Sequence, residues 1–163
     1  MATFTTGSVS TYELIATVTS TGGPLSFTSI PQTYEHLILH AFPVMGGAPN
    51  SGGNIQLNGD TSLNYYGGGL YASNYMSFAY GFSYGTTNPN IGFLNQQGNG
   101  GTYYFPSYTS TNQKSVYSFG GSGNGFNRGG YSWNGTSAIT QITFSATNHS
   151  AGTVFHLYGL KKV

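Results

Sequence analysis

Alternation with a period of two runs along most of this chain and limits what it can fold into. In Tyr12-Glu13-Leu14-Ile15-Ala16-Thr17-Val18-Thr19 the even positions are large or apolar, Glu13, Thr17 and Thr19 fall opposite, and Ile15 breaks the pattern. Successive side chains of a strand point to opposite faces, so this pattern predicts a strand with one buried side. Similar stretches follow at 25–27, 34–42, 55–57, 102–108, 115–119, 138–144 and 153–160. Turn residues separate them. Gly22-Gly23-Pro24 interrupts the chain, Pro31 pushes Ile30 out of the helical region, and Asn-Gly pairs begin at Asn58, Asn99, Asn124 and Asn134. Pro106 predicts an edge strand or a bulge, and 120–125 reads as a glycine-rich loop. No window carries a helical stripe with caps. Many short strands joined by Gly, Asn and Pro turns predict an all-β fold, an antiparallel two-sheet sandwich, jelly-roll-like. At 163 residues the chain has the size of one domain, divided here into an N-terminal arm at 1–10 and a single β-sandwich domain at 11–163.

A second alternation places Met76, Phe78, Tyr80, Phe82 and Tyr84 on one side and Ser77, Ala79, Gly81 and Ser83 on the other. Two readings stand: a core strand beneath a second sheet, or a bare side against a partner subunit.

Charge is the scarce commodity. Four Lys/Arg and three Asp/Glu make up 4% of the chain, against about 25% in ordinary domains. Aromatics reach 16% and the net charge is +1, so the composition is that of a foldable chain. Lys114, Arg128, Lys161 and Lys162 form no basic patch, which argues against nucleic acid as a partner. No run approaches a membrane span, and residues 1–6 lack the features of a secretion signal. With no Cys there are no disulfides, thiolate metal sites or thiol nucleophiles.

Catalytic constellations are equally thin, and the expectation is that the chain is not an enzyme. Glu13 reads as a solvated strand position and Asp60 as a turn residue, which leaves no convincing acid pair. Gly81-Phe82-Ser83-Tyr84-Gly85 matches the nucleophile elbow of hydrolases, but no helix follows it and no carboxylate occurs after Asp60. His36 and His40 share a strand face at a separation of about 13 Å, too far for one zinc ion. Hydrogen-bonded or interfacial histidines are the default. Asn58 and Asp60 alone make a poor calcium loop. No metal and no cofactor is expected.

Aromatic side chains remain. Tyr65, Tyr66, Tyr103, Tyr104 and Trp133, with Asn134 beside it, are candidate contacts to a glycan or to another subunit. A domain with so little charge has few devices for keeping copies apart, which predicts a homo-oligomer, a trimer first among them.

The segments 12–19 and 27–37, then Leu57-Asn58-Gly59-Asp60 with Asn64-Tyr65, 137–143 and 155–161, resemble a family of small bacteriophage structural proteins. Members of that family decorate capsids or build fibres, so the resemblance implies a virion location after assembly in the host cytoplasm, and no enzymatic activity. It implies as partners the major capsid protein or another virion protein. The expected function is capsid decoration, as a cement protein. The alternative is a head- or tail-fibre element that binds host surface glycans through exposed aromatics.

Overall fold

The computed structural model describes residues 11–44, 51–73, 78–86, 90–94, 100–122, 125–144 and 149–161, with backbone alone at 51–53, 71–73, 78–86, 90–94, 122, 125 and 127. Among these residues the fold is all strand, without helix. The strands are β1 (Tyr12–Thr19), β2 (Leu25–Phe27), β3 (His36–Phe42), β4 (Ser51–Leu57), β5 (Tyr65–Ser73), β6 (Phe78–Thr86), β7 (Asn90–Leu94), β8 (Gly101–Phe105), β9 (Lys114–Ser122), β10 (Gly125–Trp133), β11 (Ile142–Phe144) and β12 (Val154–Leu160). They form an eight-stranded sheet, β1-β12-β3-β8-β9-β10-β5-β6, and a four-stranded sheet, β2-β11-β4-β7. Every pairing is antiparallel. The chain shuttles between the sheets at most connections, and the two pack as the predicted sandwich.

Alternation decides which side chains fill the space between them. Leu37, Leu39 and Ala41 of β3, Phe155 and Leu157 of β12, and Tyr103 and Phe105 of β8 point inward and are buried. Leu25, Phe27, Ile55, Leu57, Ile142 and Phe144 meet them from the small sheet. Burying each such Leu, Ile or Phe side chain contributes about 1.5–3 kcal/mol before entropy is counted.

Four local expectations change. In β1 the pairing steps from Leu14 opposite Tyr158 to Ala16 opposite Leu157, so Ile15 is the extra residue of a β-bulge. The bulge switches faces: Tyr12 and Leu14 are exposed, whereas Ile15, Ala16 and Val18 pack on the core. Glu13 is thereby turned to the side of Tyr34, whose hydroxyl donates to Glu13 Oε2 at 3.0 Å, and it pairs with Lys161 rather than standing alone in solvent. Second, β8 is no edge strand, because it lies between β3 and β9; Pro106 ends it at Phe105. Third, 120–125 is not simply a loop, since β9 runs to Ser122 and β10 starts at Gly125. Fourth, only 142–144 of the stretch 138–144 is strand. The arm at 1–10, the turns at Asn99 and Asn124, and the side chains of the 76–84 alternation lie outside the described residues.

Candidate functional site

The six singled-out residues divide by the same alternation. Tyr65, Tyr103 and Trp133 are 1%, 1% and 4% exposed, so these rings belong to the core and offer no surface for a glycan or a subunit. Tyr66 and Asn134 are exposed and Tyr104 is half-buried. Adjacent residues of a strand face opposite ways, so each Tyr-Tyr pair supplies one core ring and one outward ring.

Tyr65 and Trp133 sit opposite each other on β5 and β10 and close a polar knot around the 57–60 turn. Asn58 and Gly59 both have positive φ, 52° and 67°, as a type I′ turn requires. The Asn58 carboxamide then bridges to the loop before β11. Its Oδ1 accepts from the backbone N–H groups of Thr140 (2.8 Å) and Gln141 (3.1 Å), while Nδ2 donates to the Ala138 carbonyl (2.8 Å). Trp133 Nε1 donates to Asp60 Oδ2 at 2.7 Å, and Asn64 Nδ2 donates to the same oxygen at 2.9 Å. Burial pushes the Asp60 carboxyl up, but hydrogen bonds from Ser62, Asn64 and Trp133 outweigh it and hold the group well below the carboxylate range. The Tyr65 hydroxyl accepts from the Leu57 N–H at 2.9 Å, and burial pushes its pKa up to about 12. Asn58 and Asp60 are thus committed to protein donors and acceptors, and among the described residues no cluster of three metal-ligating side chains occurs.

Other chemical candidates resolve as structure. Gly81–Gly85 lies inside β6, where Ser83 pairs with Gly67, so no nucleophile elbow forms. Ser20 Oγ and His149 Nδ1 are 2.7 Å apart, but both residues are buried and the other ring nitrogen has no partner. Desolvation lowers the His149 pKa. His40 and His156 face each other across β3 and β12; His40 bonds Tyr12 (2.8 Å) and Thr102 (2.9 Å), and His156 bonds Thr17 (2.8 Å). These histidines are hydrogen-bonded members of a strand face, as the default reading holds.

That outward face of the large sheet is the most unusual surface of the molecule. Leu14, Phe42, Phe119, Phe126 and Tyr117 stand on it between 44% and 55% exposed. Tyr12 stacks on Tyr158 at 4.4 Å, and Tyr104 stacks on Tyr117 at 6.5 Å. Arg128 is its one Lys, Arg, Asp or Glu among the described outward strand positions. Around Arg128 the register lines up two rows: Tyr117, Gly130 and Gly68, then Phe119, Arg128 and Leu70. The glycines leave an open groove of about 510 Å³ between the rings and the arginine. None of these groove residues stood out in the sequence. The signal was the alternation of Phe126, Arg128, Gly130 and Ser132 against Tyr131 and Trp133, which glycines at 125, 129 and 130 obscure.

No known family model matches this chain, and comparison with curated proteins and with solved structures found no match.

Proposed function

We propose that this chain is a bacteriophage virion structural protein, a capsid decoration (cement) protein that works as a homo-oligomer, a trimer, seated on capsid subunits. The outward face of the large sheet carries this reading: large apolar side chains stand exposed there, with Arg128 the single charged residue among the described positions. Clustered exposed apolar side chains of this kind mark interaction surfaces. Covering Leu14, Phe42 and their neighbours on β1, β12 and β3 desolvates no ion, so the contact avoids the main cost of burying charge. The motif resemblance to phage structural proteins supports the same assignment. Several weak contacts from one oligomer would add up to firm attachment. Mass spectrometry of purified particles tests the reading, with the protein expected at high copy number and retained through a wash in high salt, since few charges are involved. Absence from particles, or release at moderately raised ionic strength, would contradict it.

A second reading, adhesion to host glycans, is favoured by the groove beside Arg128. It moves the contact away from Trp133 and onto Tyr117, Phe119 and Arg128.

A further inference from the structure

We infer that the groove across β9, β10 and β5 binds the acidic end of a saccharide, a pyranose ring that carries one carboxylate. This rests on the adhesion reading and narrows it. The floor is backbone: Gly130 and Gly68 present no side chain, and strands about 4.8 Å apart give a span of roughly 10 Å from β9 to β5. Tyr117 and Phe119, two residues apart on β9, form an aromatic wall. The space of about 510 Å³ falls within the range of small-molecule sites, about 300–1,000 Å³.

Two chemical demands follow from this lining. Exposed ring faces favour the C–H face of a sugar, where an apolar surface meets an aromatic one. Arg128, which makes no ion pair among the described residues, offers a planar fork of donors that matches a carboxylate two bonds at a time. Its charge is the one full charge in the groove, so it suits a ligand with one negative group. A neutral sugar would forgo the ionic contact, and a flat aromatic acid would leave its ring edges without hydroxyls for the Tyr117 hydroxyl to meet.

Calorimetric titration of the full chain with glucuronic acid, N-acetylneuraminic acid, glucose and benzoate tests this. The two acidic sugars should bind saturably and at least about tenfold tighter than glucose, the ratio expected from one charge-assisted contact, and tighter than benzoate, which keeps that contact but lacks the hydroxyls. Arg128→Gln should abolish that preference and Arg128→Lys should recover only part of it. Gly130→Ala and Gly130→Val should weaken binding progressively, because a Cβ there meets only the Tyr117 ring, at 3.5 Å, and leaves the backbone undisturbed. Unchanged thermal unfolding of these variants separates filled space from lost fold, and Tyr117→Ala provides the same loss from the wall. Equal affinity for glucose would overturn the acidic assignment and leave adhesion standing. Tighter binding of benzoate, or acid binding undiminished in Arg128→Gln, would overturn the inference, and no binding of any sugar would overturn it together with the adhesion reading. None of these outcomes bears on attachment to a shell.

Discussion

Asn58 does two things at once, and substitutions separate them. Its backbone holds φ at 52°, which glycine tolerates and alanine resists, and its carboxamide ties the 138–141 loop. Asn58→Gly should cost about 2 kcal/mol for the lost bridge, and Asn58→Ala roughly 1 kcal/mol more for the backbone. Urea unfolding of both variants checks the order; equal losses would mean the turn carries no backbone demand. Asp60 makes the knot sensitive to acid. Its folded pKa is depressed, so its contribution is complete above the ordinary carboxylate value of about 4 and drains away as pH falls from there toward the folded value. Asp60→Asn should therefore be less stable at pH 7, by about 2 kcal/mol, and should lose less on going to pH 3 than the parent does. A parent curve that stays flat between pH 5 and pH 3 would contradict this. The turn itself was legible, because Asn-Gly between alternating segments has few other uses. The knot was not, since its partners Trp133 and Thr140 are more than 70 residues away along the chain.

At the scale of the element, the β5–β10 pairing depends on glycine at one place above all. A Cβ on Gly67 would lie 2.1 Å from the Gly130 carbonyl oxygen, so no side chain fits without parting the strands. Gly67→Ala should cost about 3 kcal/mol or more, whereas Gly130→Ala, whose Cβ meets only the Tyr117 ring at ordinary contact distance, should cost under about 1 kcal/mol. Thermal melts of the two variants decide it, and similar losses would put the close approach in doubt. The same glycines explain why β5 and most of β10 were hard to read: alternation needs side chains, and Gly67, Gly68, Gly69, Gly129 and Gly130 supply none. Where side chains alternate visibly, in β3 and β12, sequence and structure agree on the strand and almost on its length. In β1 the odd Ile15 was visible as an exception, but its meaning as a bulge depends on the partner strand.

For the whole molecule, the class of fold followed from pattern and turns, while the strand order did not, because pairings such as β1 with β12 join the two ends of the domain. The charge-poor outer face was legible in composition, as a shortage of Lys, Arg, Asp and Glu, but its location needed the sheet. If that face works covered, a charge placed on it should act at a distance from the core. Leu14→Glu and Phe42→Glu are exposed changes and should leave the packing within each chain intact while they disrupt assembly. Light scattering on the parent and on the Leu14→Glu/Phe42→Glu double variant is the direct measurement. The parent should show three times the 17.2 kDa chain mass and the variant a single chain. A parent that remains a monomer at every concentration, or a double variant that assembles as the parent does, would contradict the account.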